Sequence, residues 1–123
     1  MKSLESGPGD KISLKRPTST DRETTWSKWL ASQMGGESEY RLPDGRRVDI
    51  LTKGLAIEVD WVKKWPEAIG QSIGYAIETD RMPAILLLLR NKPTEQKYLD
   101  HAFKACERAG IPCFTWLTVN DLA

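Results

Sequence analysis

The segment RRVDILTKGLAIEVDW, residues 46–61, decides the fold that we predict for this chain. Its two apolar stretches are separated by Lys53-Gly54, which is typical of a β-hairpin with a two-residue turn. With that turn, Asp49 lies directly opposite Glu58. We therefore expect two adjacent antiparallel strands that hold a pair of carboxylates side by side.

This hairpin is predicted to have one apolar and one charged face, because side chains alternate along a strand. The apolar face, expected to join the core, comprises Val48, Ile50, Leu55, Ile57 and Val59. The charged face, expected to stay accessible for chemistry, comprises Arg47, Asp49, Glu58 and Asp60.

The opposed carboxylates of Asp49 and Glu58 call for a physical reason. Like charges facing each other on a sheet destabilise it by about 0.2–1 kcal/mol. A divalent cation between them would remove the repulsion, and a small set of hard oxygen ligands is what Mg²⁺ or Mn²⁺ prefers when it also binds phosphate. The pair is therefore a candidate metal site.

A third strand is predicted on the other side of this hairpin, over residues 37–42. Residues 43–45, Pro-Asp-Gly, connect it to the hairpin, and these residue types favour a turn, so Asp44 is assigned to the turn and not to the metal site. A three-residue loop places Glu39 opposite Asp49. Glu39 is therefore a candidate for a third metal ligand.

Helical periodicity and helix-ending residues define the remaining elements. They are a helix over residues 21–34, a helix over 66–79, an aliphatic strand over 84–89, a helix that begins at Thr94 and a final strand over 113–118. The predicted order is α-β-β-β-α-β-α-β. The second helix is expected to turn three isoleucines to the sheet and to approach it closely at two glycines: Ile69, Ile73, Ile77, Gly70 and Gly74.

Length and composition predict one globular domain. Residues 1–19 lack an apolar pattern and are predicted to be a disordered tail, so the domain spans 20–123. Lys and Arg number 18 and Asp and Glu 17, so any nucleic-acid contact must depend on local patches. Two cysteines, interpreted as inert core thiols, and the lack of a long apolar span indicate a cytoplasmic protein that does not enter a membrane.

The motifs RRVD (46–49) and AIEVD (56–60), together with Lys64 and Gln71, resemble the PD-(D/E)XK nuclease superfamily over roughly residues 20–120. They are most similar to its small stand-alone bacterial and phage members. The resemblance implies an α/β fold with a mixed α+β sheet, namely a restriction-endonuclease-like αβββαβ core, here followed by an additional helix and strand. It also implies that Asp49 and Glu58 bind Mg²⁺ or Mn²⁺.

One position departs from the superfamily pattern, because Asp60 stands where a lysine is usual. Lys63 and Lys64 follow closely, and members of the superfamily can supply this lysine from a neighbouring element. Lys64 is our first candidate for that role and Lys63 the alternative. The candidate catalytic residues are Asp49, Glu58, Asp60, Lys64 and Gln71.

Several further residues have two interpretations. Glu23, on the first helix, competes with Glu39 as the third acidic ligand, although its spacing from Thr20 is that of a helix capping box. Gln71 either holds a water or a phosphate, or hydrogen-bonds to the strand backbone. Trp65 either stacks on DNA or packs the start of the helix. The candidate DNA-binding residues are Lys63, Arg47 and Trp65.

These observations predict a metal-dependent DNA endonuclease that works as a homodimer, with branched DNA such as Holliday junctions as a candidate substrate. Two other functions are open at the level of sequence. The first is a catalytically silent nuclease fold that serves as a DNA-binding or assembly module, which Asp60 favours. The second is a protein-interaction domain whose acidic row is only a solvated sheet face.

Overall fold

The computed structural model describes residues 14–119 and confirms the predicted fold class and element order. A short 3-10 turn, Val62–Lys64, is the one addition. The elements are α1 (Glu23–Met34), β1 (Glu37–Arg41), β2 (Arg47–Leu51), β3 (Leu55–Trp61), α2 (Trp65–Thr79), β4 (Met82–Leu89), α3 (Glu95–Ala109) and β5 (Cys113–Leu117).

The five strands form one mixed sheet in the order β1-β2-β3-β4-β5. β1, β2 and β3 are antiparallel neighbours, whereas β4 and β5 add in parallel because each follows a helical crossover. Ile50 pairs with Ile57, which confirms the predicted hairpin register. Leu42 N donates to Arg46 O at 2.8 Å and closes the predicted turn over residues 43–45.

α1 covers one face of the sheet with a dry aliphatic and aromatic core. Trp26 and Leu30 of the helix pack against Ile57 and Val59 of β3 and against Leu86 of β4. Of the face predicted to be apolar, Val48 is the exception. It packs instead with Leu42, Leu51, Ala56 and Tyr75.

α2 and α3 cover the opposite face. Of the three isoleucines of α2 predicted to face the sheet, Ile69 packs against the core, but the other two do not. Ile73 and Ile77 are exposed. The side chains that α2 buries are Ala68, Ser72, Tyr75 and Ala76. The sheet beneath carries the carboxylates of Glu58 and Asp60, which isoleucines would leave without polar partners. The helix therefore presents small side chains and a hydroxyl to this face.

The two helical glycines of α2 also differ from expectation, because neither brings the helix against the sheet. A Cβ on Gly70 would meet nothing within 4 Å, whereas a Cβ on Gly74 would lie 3.1 Å from Nη1 of Arg46. Gly74 therefore accommodates a side chain that reaches over the helix.

The residues just before α1 pack on the domain, so the boundary predicted at residue 19 is too late. The guanidinium of Arg16 lies 5.5 Å from the centre of the Trp26 ring and 5.8 Å from that of Trp29. Trp26 Nε1 donates to Thr18 O at 2.9 Å, and Arg90 Nε donates to Ser19 O at 3.0 Å. The rest of the predicted tail, residues 1–13, lies outside the described residues, as do residues 120–123.

Three further predictions can be compared with the structure. The side chain of Thr94 makes no capping hydrogen bond to α3, since Glu95 Oε1 instead accepts from Arg90 N at 2.8 Å. Cys106 and Cys113 are free, and burial raises the pKa of both thiols, which fits inert core positions. Between residues 14 and 119, none of the helices has the length and apolar character needed to cross a bilayer.

Candidate metal centre

The sheet opens locally where Asp49 meets β3. Backbone pairing between β2 and β3 covers Leu51 with Ala56 and Ile50 with Ile57, so Asp49 and Glu58 are the next residues beyond the paired segment. Beyond the paired residues, the Asp49 side chain provides the hydrogen bond to β3, since its Oδ2 accepts from Val59 N at 2.8 Å. The carboxylate thus replaces a backbone partner and is fixed beside Glu58.

Glu58 is buried, with 6 % of its surface exposed. Its Oε1 has no hydrogen-bond partner among residues 14–119. Burial raises the pKa of Glu58, and the neighbouring charge of Asp49 and a hydrogen bond with it raise the pKa further. Burial also raises the pKa of Asp49, so in the metal-free protein the two carboxyls are expected to share a proton.

Asp60 is a further buried carboxylate on β3, two residues after Glu58, with 7 % of its surface exposed. Burial is the main reason why its pKa is raised, although Trp61 N donates to Oδ1 at 2.9 Å and lowers it. The charge of Glu23 and a hydrogen bond with it raise the pKa of Asp60, whereas the charge of Lys64 lowers it. Asp60 therefore connects the first helix to the residues that follow β3.

The predicted accessibility of this acidic face is wrong, because α2 covers Glu58 and Asp60. A solvated row of carboxylates would need no further explanation. A buried row does, since each ionised and unpaired carboxylate carries a large desolvation penalty. The protein-interaction alternative rested on a solvated face and therefore loses its basis.

Both candidates for a third acidic ligand raise the pKa of Asp49 through their charge, Glu39 more strongly than Glu23. The residue at the N-cap of α1 is Arg22, without a side-chain capping bond, so the proposed capping box is not formed. Glu39 does lie near Asp49, whose pKa its charge raises. However, Glu39 forms an ion pair with Arg47, in which Glu39 Oε1 accepts from Arg47 Nη1 at 3.0 Å.

Tyr75 is a site residue that the sequence pattern did not identify. It is 8 % exposed, and its nearby hydroxyl lowers the pKa of Glu58. Burial, followed by the charge of Glu58, raises the pKa of Tyr75, so it remains a neutral donor. The available signal was its position one turn after Gln71, on the side of α2 opposite the isoleucines.

The structure separates the two candidate lysines. Lys64 is exposed at the N-cap of α2, and its charge acts on Asp60. Lys63 is exposed in the preceding turn and makes no hydrogen bond or ion pair with any described residue. Lys64 is therefore the cation that the fold brings beside the acidic row.

Two other candidates are not brought into this row. Gln71 is exposed on α2, and no hydrogen bond joins it to the strand backbone or to any other residue between 14 and 119. Trp65 packs against the core beneath α2 and α3, with its ring centre 6.5 Å from that of His101. Trp65 thus follows the packing interpretation.

The donor set fits a hard divalent cation. Across residues 14–119, no three His, Cys, Asp or Glu side chains already form a metal-binding cluster. Asp49 and Glu58 nevertheless offer adjacent carboxylate oxygens, one of them buried without a partner. Two carboxylates, completed by water and phosphate oxygens, are a common Mg²⁺ arrangement.

Comparisons with protein-family models, with curated proteins and with solved structures each return no match to this chain.

Proposed function

We propose that this protein is a metal-dependent DNA endonuclease that hydrolyses phosphodiester bonds. The observation that carries the proposal is the pair of half-buried Asp49 and buried Glu58, in which Glu58 Oε1 lacks a partner among the described residues. Two adjacent acidic side chains with raised pKa values are costly to a fold, and such pairs concentrate at functional sites. The sequence resemblance to PD-(D/E)XK nucleases names the same two residues.

Asp49 and Glu58 would hold Mg²⁺ or Mn²⁺, and Tyr75 would fix the orientation of the Glu58 carboxyl. The bound ion would polarise the phosphodiester and lower the pKa of the attacking water. Glu23 and Asp60 add negative charge beside the pair. Metal binding displaces the shared proton, so affinity for the ion rises with pH.

Lys64 would stabilise charge that develops on the phosphate. Its stem is flexible, and its ammonium already acts on Asp60, the residue that occupies the usual lysine position. Lys63 would contact the DNA backbone. These two roles complete the proposed reaction without a histidine or a cysteine.

We further propose that DNA is the partner and that the protein acts as a homodimer in the cytoplasm. Cleavage of both strands, as at a four-way junction, uses two active centres related by a two-fold axis. Two free cysteines suit a reducing compartment. Branched DNA is the substrate class to test first.

A second candidate function is a catalytically silent nuclease fold that binds DNA or assembles with a partner. The observation that favours it is Asp60, because a buried acidic residue takes the place of the usual lysine. Such a protein would bind metal and DNA but leave the DNA intact.

One experiment separates these functions. Calorimetry with Mn²⁺ measures the metal site, and a panel of junction, flap, nicked, duplex and single-stranded DNA measures cleavage in Mg²⁺ and Mn²⁺. Metal binding with cleavage of any substrate supports the nuclease. Metal and DNA binding without cleavage supports the silent module, and the lack of Mn²⁺ binding below millimolar concentration contradicts both.

A further inference from the structure

Arg46 extends from the start of β2 across α2. Its guanidinium carbon lies 5.7 Å from the centre of the Tyr75 ring. The guanidinium also lies over the helix at Gly74, because a Cβ added to this glycine would be 3.1 Å from Arg46 Nη1. Any larger side chain at position 74 would push the guanidinium aside.

Asp44 holds the guanidinium from one side only. Arg46 Nε donates to Asp44 Oδ2 at 2.8 Å, and Arg46 N donates to Asp44 Oδ1 at 3.0 Å. Neither Nη1 nor Nη2 makes a hydrogen bond to a residue between 14 and 119, and 46 % of the side chain is exposed. The cation is therefore oriented while its outer donors stay available for a ligand.

The free edge of a guanidinium matches a phosphate group, which can accept two parallel hydrogen bonds from it. Tyr75 links this edge to the candidate metal centre, because its ring lies next to Arg46 and packs with Val48 and Ala56, on the two strands that carry Asp49 and Glu58. A DNA strand carries a phosphate at every nucleotide. One strand could thus reach Arg46 and the carboxylates at once.

Resting on the proposed nuclease function, we propose that Arg46 is a phosphate-binding residue that positions the DNA strand beside Asp49 and Glu58, and that Gly74 makes room for it. This assignment differs from the sequence-based choice of Arg47. The Arg47 guanidinium is paired with Glu39, whereas the Nη donors of Arg46 point to no described acceptor.

The first test measures DNA affinity by fluorescence anisotropy of labelled duplex and four-way junction oligonucleotides. EDTA prevents cleavage during the measurement. Arg46→Gln is expected to weaken binding about tenfold for both DNAs and to reduce the salt dependence by about one phosphate contact. Arg41→Gln is the matched control, because Arg41 is also exposed beside the same turn, and it should change affinity less than twofold.

The second test uses the two glycines of α2. Gly74→Ala should displace Arg46 and weaken DNA binding, whereas Gly70→Ala, whose new methyl group meets nothing within 4 Å, should not. Both variants should keep or raise the thermal midpoint, since alanine favours a helix more than glycine does. Mn²⁺ affinity, measured by calorimetry, should be unchanged in every variant.

The outcomes distinguish failure of the phosphate-binding role of Arg46 from failure of the proposed nuclease function. If the wild type binds DNA and Arg46→Gln binds it equally well, the phosphate-binding role is wrong and the nuclease proposal stands. Equal effects of the two alanine variants would contradict the role given to Gly74. If the wild type binds none of the DNAs, the DNA-directed function fails, and the role of Arg46 fails with it.

Discussion

Two strips of residues lie on opposite sides of α2. One strip is charged although it is buried, and the other is apolar although it is exposed. Beneath the helix, Glu58 and Asp60 are 6 % and 7 % exposed, whereas on its outer surface Ile73 and Ile77 are 42 % and 74 % exposed. Burial of an isoleucine stabilises a fold by about 1.5–3 kcal/mol, and an unpaired buried carboxylate costs several kcal/mol. The helix orientation is therefore poor for stability alone.

These two strips indicate what determines the orientation of α2. Tyr75 can face Glu58 only if α2 turns its side of small residues to the sheet, and that rotation carries Ile73 and Ile77 outward. Natural proteins break local folding rules mainly at functional sites. The exposed isoleucines and the buried carboxylates are two consequences of one helix orientation.

The largest expected effect follows from removing either carboxylate of the candidate metal centre. Glu58→Gln and Asp49→Asn should each abolish metal-dependent cleavage, because each removes half of the pair that binds the ion. A time course of DNA cleavage in Mg²⁺ measures this effect. Glu78→Gln, on the exposed side of α2, is the control and should cut at the wild-type rate. A Glu58→Gln protein that cuts as fast as the wild type would refute the metal site.

The second prediction concerns the cation beside the buried strip. Lys64→Ala should reduce the turnover number by roughly 10²-fold, the scale for loss of one preorganised charge stabiliser, and should affect DNA affinity far less. Lys63→Ala should instead weaken binding and its salt dependence. Single-turnover cleavage and anisotropy separate the two effects. A large turnover loss in Lys63→Ala would exchange the roles, and no loss in either would leave the charge to the metal or argue against cleavage.

The sequence predicted those parts of the fold that depend on local pattern. Strand alternation and the Lys53-Gly54 turn were sufficient to place Ile50 opposite Ile57 and to bring Asp49 near enough to Glu58 for its charge to act there. Element order followed in the same way from helical periodicity and glycine stops.

The orientation of α2 could not be predicted in this way. The spacing of Ile69, Ile73 and Ile77 defines a helix face, but the face that covers the sheet depends on which strand side chains lie beneath it. Carboxylates there need a polar partner, which Tyr75 provides. This requirement is a tertiary one, so the apolar period was right for Ile69, which packs against the core, and wrong for Ile73 and Ile77.

One contact of the segment before α1 was missed for a similar reason. Arg16 packs on tryptophan rings, and a single cation in a polar segment leaves no periodic signal. The capping box suggested by the spacing of Thr20 and Glu23 is not formed either. Whether a carboxylate caps a helix or reaches a neighbouring strand depends on tertiary packing.

The third prediction concerns the pH dependence of the metal-free fold. Because the pKa of Glu58 is raised in the folded state, its contribution to stability is fully present below its unfolded pKa of about 4.3 and is lost as pH rises through the raised value. Glu58→Gln lacks this dependence. The variant should therefore be more stable than the wild type at pH 8, by on the order of 1–2 kcal/mol, but not at pH 4.

Urea unfolding at pH 4, 6 and 8 in EDTA measures this difference in the free energy of unfolding. Glu78→Gln is again the control and should follow the wild-type curve, since its carboxylate is exposed. A constant offset between Glu58→Gln and the wild type at all three pH values would mean that Glu58 is not buried beside Asp49.

The smallest expected effect belongs to the outer strip. Ile77→Gln should change the free energy of unfolding by no more than about 0.5 kcal/mol, because a side chain that is 74 % exposed loses little contact when it is replaced. Ala76, its buried neighbour, provides the contrast, since Ala76→Gln would force a polar chain into the interface between α2 and the sheet. Urea unfolding at two protein concentrations measures both variants. If Ile77→Gln destabilises the protein by several kcal/mol at both concentrations, the isoleucine strip is buried within the monomer and α2 has the opposite orientation. If the loss grows with protein concentration, the strip is covered by a second copy, which would support the proposed homodimer.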